Sequence, residues 1–265
     1  MDSADPILAS GPQSRAGVPE YGRRGFYGVL TPQANPTVEP ELRILLPRAS
    51  ALVAARMSSR AAGLRERLAD YFEHLEQTVD EFDGLSLDAV GFACTGSSYG
   101  RGPGEERRLV DRVAERVGCP FVTASGATGT ALAHLGVDSI ALISPYPAWL
   151  SQACAAHWRD RGLRITALLE LAPTPGSAHP IYARTSGELT RAAAGFDVCG
   201  ADAVLIAGTG MPSLRAIPVL ERELGVPVIS SNLCLAWALA RTTGTTAPGS
   251  ESRLYGGWLA QLDAA

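Results

Sequence analysis

One cysteine followed by small hydroxylated residues, Cys94-Thr95-Gly96-Ser97-Ser98, stands where the apolar run Ala89–Ala93 ends and a helical pattern near Gly104 is about to begin. At such a strand-to-helix turn the backbone N–H groups converge, and the local dipole favours an anion. The Thr and Ser hydroxyls add donors, so the turn suits a carboxylate or an enolate oxyanion. The same field is expected to lower the thiol pKa, which would make Cys94 a usable acid, base or nucleophile. A small buried cysteine at a strand end has the same spacing, so a second feature is needed to separate the two readings.

The second feature is a repeat. Ala207-Gly208-Thr209-Gly210-Met211-Pro212-Ser213 ends another apolar run, and each turn leads to a helix carrying Glu and Arg. Each helix ends in a second match, Gly118-Cys119-Pro120-Phe121-Val122-Thr123 against Gly225-Val226-Pro227-Val228-Ile229-Ser230, at offsets of about 114 and 107 residues. The later segment reads as a diverged copy of the earlier one, with Thr209, Gly210 and Ser213 supplying donors but no thiol. Three further polar side chains are placed to reach a bound carboxylate. Asn35 follows the first apolar run, where a turn Asn before Pro is also common. Tyr146, in Ser144-Pro145-Tyr146-Pro147, fits a core aromatic equally well. His179, in His179-Pro180-Ile181-Tyr182, is a candidate pocket wall or base for Cys94, although a surface loop histidine is the commoner reading of such a position. Cys234 opens a helix one turn from this chemistry, and Cys119, Cys154 and Cys199 read as packing residues.

These groups need a frame. Short apolar runs at Phe26–Leu30, Ala51–Met57, Ala89–Ala93, Phe121–Thr123, Ile140–Ile143, Ile165–Leu169, Val204–Ala207 and Val228–Ser230 read as strands. Amphipathic stretches at Leu64–Phe82, Glu105–Val117, Trp149–Arg161, Gly187–Phe196 and Leu214–Leu224 read as helices between them. Strand–helix alternation predicts an α/β protein with parallel sheets. With the repeat, it predicts two pseudo-symmetric doubly wound halves, residues 23–135 and 136–265, with the C-terminal helix free to return to the first. The strand C-termini would face a common cleft, where ligands bind in such sheets. Residues 1–22, rich in Ser, Pro, Gly, Ala and charge, read as a disordered leader and not a signal peptide.

Composition excludes several classes. The 265 residues are 46% hydrophobic and 19% charged, with a net charge of -4 and both signs scattered. No basic stripe suggests nucleic acid, and no apolar run reaches the roughly 18 residues of a membrane span. Five cysteines without metal-type spacing and only four histidines argue against a metal, and reduced thiols in the cytoplasm are the expectation. Gly91–Gly96 lacks the spacing of a nucleotide-binding loop, so no cofactor is expected. A homo-oligomer stays open.

Asn35-Pro36-Thr37-Val38-Glu39-Pro40-Glu41, Ala93-Cys94-Thr95 and Ser144-Pro145-Tyr146 are similar to motifs of maleate cis–trans isomerase. Ser144-Pro145-Tyr146 also matches arylmalonate decarboxylase, and Ala216-Ile217-Pro218 to Ser230-Ser231 and the tail from Pro248 to Tyr255 look closer to the latter. From about Gly25 to Tyr255 the chain thus resembles the branch of the aspartate/glutamate racemase superfamily that holds both enzymes. The resemblance implies a cofactor-free lyase or isomerase acting on a small dicarboxylate. Its implied site is Cys94 as the catalytic group, with Asn35, Thr95, Gly96, Ser97, Tyr146, Gly208, Thr209 and Gly210 around the carboxylate. Racemases and isomerases of the superfamily carry a cysteine in each half, whereas this chain has Gly208 at the second position. The decarboxylase has its cysteine in the second half, so this chain reads as that pattern with the halves exchanged.

A two-base racemase needs an acid–base group on each face of the carbon, which Gly208 denies. A decarboxylase needs donors for one carboxylate, an apolar seat for the other and one acid for the enolate. Cys94 suffices for that, from the face opposite to the decarboxylase arrangement, so the opposite product enantiomer is expected. Cis–trans isomerisation would use Cys94 as a covalent nucleophile, with His179 or Tyr146 taking its proton. A dicarboxylate-binding module without catalysis is the non-enzymatic alternative, for which a Cys94 alkylated no faster than a model thiol would argue.

Overall fold

The protein is described by a computed structural model covering residues 20–245, 249 and 251–263. The expected leader therefore lies almost wholly outside the described residues, as does Pro248. Among the described residues, eight parallel strands form two sheets of four. In the first, β1 (Phe26–Pro32), β2 (Ala51–Met57), β3 (Ala89–Phe92) and β4 (Phe121–Thr123) lie in the order β2-β1-β3-β4. In the second, β5 (Ser139–Ser144), β6 (Arg164–Glu170), β7 (Ala203–Ile206) and β8 (Val228–Ser230) lie in the order β6-β5-β7-β8. The registers repeat as well. Val90 pairs with Phe121 and Val204 with Val228, at the offsets the sequence repeat shows.

The central strands read as apolar runs because helices bury both of their faces. Every residue of β1, β3, β5 and β7 is buried, while the edge strands β2 and β6 are largely intermediate. The helices are α1 (Val38–Leu45), α2 (Leu64–Glu73), α3 (Leu75–Thr78), α4 (Thr95–Ser98), α5 (Pro103–Val117), α6 (Ala124–His134), α7 (Ala148–Arg159), α8 (Ser186–Ala193), α9 (Ile217–Leu224), α10 (Ser231–Thr242) and α11 (Leu259–Leu262).

The expected helix Leu64–Phe82 is broken at His74, whose ring Nδ1 bonds the Asp70 carbonyl at 2.9 Å. The His74 N–H keeps its helical bond to the same carbonyl, also at 2.9 Å, and a short α3 and a 3₁₀ turn, Val79–Phe82, follow. The expected helix Leu214–Leu224 starts later, at Ile217, because Met211–Ala216 belongs to the turn after β7.

Equivalent caps start α6 and α10. The Thr123 hydroxyl accepts from Gly126 N at 2.8 Å, and the Ser230 hydroxyl accepts from Leu233 N at 3.3 Å. The two halves do not form separate cores. Helix α10, from the second half, packs on α1, α6 and β3 of the first. A Cβ placed on Gly91 of β3 would stand 3.3 Å from the Leu235 and Leu239 methyls, so the bare glycine lets α10 lie on the strand. The main cluster of buried residues runs through both halves, and a smaller one lies within the first. Among the described residues no helix is long and apolar enough to cross a membrane.

Candidate active site

The ends of β1, β3, β5 and β7 meet at one cavity. Asn35, Cys94, Thr95, Gly96, Tyr146, Thr209 and Gly210 line it, joined by Arg67, Leu68 and Tyr71 of α2, Leu150 of α7, and Ile181 and Tyr182 of the loop after β6.

The first turn is wholly buried. The Cys94 thiol lies 3.2 Å from the Ser97 hydroxyl, and the Thr95 hydroxyl lies 2.9 Å from that of Tyr146. Ser97 therefore acts on the thiol and does not line the cavity. In the second turn the Thr209 hydroxyl donates to the Ala93 carbonyl at 2.8 Å, and Asn35 Nδ2 donates to Thr209 Oγ1 at 3.4 Å. Asn35 is aimed by its own Oδ1, which accepts from Thr37 N at 2.9 Å and Val38 N at 3.3 Å. Three hydroxyls and a carboxamide from both halves thus converge beside one thiol.

Gly208 occupies the position equivalent to Cys94, with a φ of +93°. A Cβ there would stand 2.9 Å from the Tyr146 hydroxyl oxygen. Tyr146 fills the space a second cysteine would need, and Gly208 itself does not line the cavity. Gly210 is small for a parallel reason, since a Cβ there would meet the Tyr182 ring at 2.4 Å.

Besides Ser97 and Gly208, which were expected around the carboxylate, two further expectations are corrected. Burial raises the Cys94 thiol above its ordinary pKa, and the hydrogen bonds from Ser97 and Gly96 only partly oppose this. The turn's field was expected to win; desolvation of a fully enclosed thiolate is larger. At neutral pH Cys94 holds its proton. His179, expected as a pocket wall or base, is exposed and stacks on the outer side of Tyr182, with ring centroids 5.5 Å apart. Tyr182, three residues on, is the wall. Cys234 is fully buried in α10 and outside the cavity, with its thiol raised to about 12.

A second tier fixes these groups. The Glu41 carboxylate, buried in α1, accepts from Ser213 N at 2.6 Å, Leu214 N at 3.3 Å and Asn232 Nδ2 at 2.7 Å, and Asn232 also donates to the Thr209 carbonyl at 3.1 Å. Glu41 therefore ties a first-half helix to the second-half turn. Desolvation raises its pKa, and these donors counter the rise. Behind the first turn, Tyr99 meets Tyr146 edge-on, with centroids 6.0 Å apart, and meets His157 at 5.0 Å. His157 Nε2 faces the Ser125 hydroxyl at 2.6 Å, and Arg161 donates to its Nδ1 at 3.0 Å. Burial and the Arg161 charge hold this imidazole near a pKa of about 3.

Residues missed from the sequence are Arg67, Leu68 and Tyr71. With Leu64 they stand at helical spacing on one face of α2, a pattern that marks a buried face without saying what it faces.

Comparison with known proteins agrees with the fold. The family model described as arylmalonate decarboxylase matches residues 27–255. The maleate isomerase of Geobacillus stearothermophilus is 26% identical over 244 residues, 86% of this chain and 96% of its own length. The arylmalonate decarboxylase of Bordetella bronchiseptica is 30% identical over 174 residues, 64% of this chain and 72% of its own. Among solved structures, a Cys-to-Ser variant of the Nocardia farcinica maleate cis–trans isomerase, holding a covalently bound succinylcysteine intermediate, superposes with a TM-score of 0.76. It is 25% identical, over 87% of this chain and 97% of that one.

Proposed function

Because this chain belongs to the arylmalonate decarboxylase family, we propose that it is a cofactor-independent decarboxylase of substituted malonates in which Cys94 protonates the enolate intermediate. The observation that carries this reading is the asymmetry of the cavity: one thiol on the first turn, and Gly208, covered by Tyr146, on the second.

In this reading one carboxylate is held among Thr95, Thr209, Asn35 and the backbone of the two turns. The other lies against apolar side chains such as Leu68 and Leu150, where a charge is poorly solvated. Its C–C bond breaks, carbon dioxide leaves, and the electron pair passes into an enediolate whose oxygens the same donors stabilise. Cys94 then gives its proton to the α-carbon, and water returns a proton to the thiolate. A thiol with a raised pKa fits this step. It arrives protonated, and an enediolate carbon is basic enough to take the proton.

The isomerase alternative is supported by the maleate isomerases among the relatives and by Asn35 in the cavity. Against it stands the environment of Cys94. Covalent addition needs a thiolate, the raised pKa disfavours one, and the side chain at its sulfur is Ser97, which is no base.

Proton NMR in heavy water tests the reading. With an α-aryl or α-alkyl malonate, we expect loss of carbon dioxide and one deuteron in a single configuration. Cys94→Ser should slow this by about 10²–10⁴-fold, the usual worth of a positioned acid. Conversion of maleate to fumarate without malonate turnover would overturn the proposal and make Cys94 a nucleophile.

A further inference from the structure

Among the described residues that line the cavity, Arg67 carries the one charged side chain. It is half-buried, and its Nε and Nη2 donate only to the Ala61 and Ala62 carbonyls, at 3.3 and 3.0 Å. These two bonds hold the guanidinium in place and leave Nη1 donors uncommitted. Among the described residues no carboxylate forms an ion pair with Arg67. Much of the rest of the cavity wall, including Leu64, Leu68, Leu150 and Ile181, is apolar. A cation fixed in such a wall without a counter-charge has lost solvation that a ligand anion would restore. The electrostatic influence of Arg67 reaches the phenols of Tyr71 and Tyr182, which also feel Cys94, so these groups surround one volume.

We infer that Arg67, with Tyr71 and Tyr182 beside it, forms a second anion subsite, and that the substrate carries a further carboxylate on the substituent of its reacting carbon. The inference rests on the decarboxylase reading in one respect. A guanidinium at the departing carboxylate would stabilise the ground state and oppose loss of carbon dioxide, so Arg67 serves a different group. The retained carboxylate already has Thr95, Thr209 and Asn35. The substrate class is thus an anionic-substituent malonate, a tricarboxylate, in preference to a plain aryl or alkyl malonate.

The test reads binding and needs no turnover. Protection of Cys94 from alkylation by the full-length protein gives dissociation constants for glutarate and adipate and for their monocarboxylate counterparts, butanoate and pentanoate. We expect at least one dicarboxylate to bind ten-fold or more tighter than its counterpart, in line with a charge-assisted pair. Arg67→Met keeps the aliphatic stem and should bring the ratio near one, while Arg67→Lys keeps part of it. Equal affinities in the unaltered protein, or the same ratio in Arg67→Met, would refute the subsite. If Arg67→Met fails to fold, shown by its circular dichroism, the unaltered protein and Arg67→Lys decide the matter. A dicarboxylate preference without release of carbon dioxide from any malonate would leave the subsite standing and remove the decarboxylase. Release of carbon dioxide with no preference would do the reverse.

Discussion

At the scale of single residues, the chemistry turns on what surrounds a thiol. Cys94 is enclosed, and its raised pKa gives it a proton to donate at neutral pH. Its alkylation should be slow at pH 7 and climb as pH passes the ordinary thiol value, read by peptide mapping across pH 7–10. A rate already maximal at neutral pH would contradict the raised pKa. Slow alkylation therefore does not argue for a mere binding module, because an acid must keep its proton. Gly208 offers a second measurement. Gly208→Ala meets both a left-handed backbone and the Tyr146 hydroxyl, whereas Gly200→Ala meets only the backbone term, at φ +70° in open space. Each backbone term costs about 1 kcal/mol. The larger loss of stability should therefore fall on Gly208→Ala, by about 1–3 kcal/mol in urea unfolding, with KM raised as Tyr146 moves off Thr95. The turn residues were legible because small and hydroxylated side chains recur in order at both strand ends. Tyr182 was not, since a loop has no period to say which of His179 and Tyr182 points inward.

At the scale of elements, the strands were legible and the helices less so. Central parallel strands buried on both faces must be apolar runs, and the eight described strands, edges included, fall where such runs lie. Helix α1 was hidden by Pro36, Pro40 and Pro47, which look like loop punctuation, although Pro40 sits in the first turn, where its missing N–H costs little. That helix carries Glu41. Glu41→Leu would strand the donors of Ser213, Leu214 and Asn232, and should cost roughly 3 kcal/mol, at 1–3 for each donor less the relief of removing a buried carboxylate. Because Asn232 holds the Thr209 carbonyl, catalytic rate should fall with stability in that variant, both checked on one preparation by urea titration and turnover.

At the scale of the whole molecule, His157 makes folding sensitive to acid. Its folded pKa, about 3, lies below the unfolded 6.5, so the unfolded chain takes the proton first. Its contribution is complete above pH 6.5 and is lost as pH falls toward 3, by about 2 kcal/mol between pH 7 and 5. Glu41 acts in the opposite sense, since a carboxyl raised by burial disfavours the fold least when protonated. The informative quantity is therefore the difference in slope between the protein and His157→Gln over that range, which should show the histidine's share missing. The return of α10 across the molecule has a consequence during synthesis. The first sheet is complete once Thr123 has left the ribosome, yet the helix that covers Gly91 ends at Thr242. At about 5–20 residues per second, the nascent first half spends several seconds with the part of its sheet around Gly91, between α1 and α6, uncovered. Chaperone occupancy on ribosome-bound chains should peak in that interval and fall when α10 emerges.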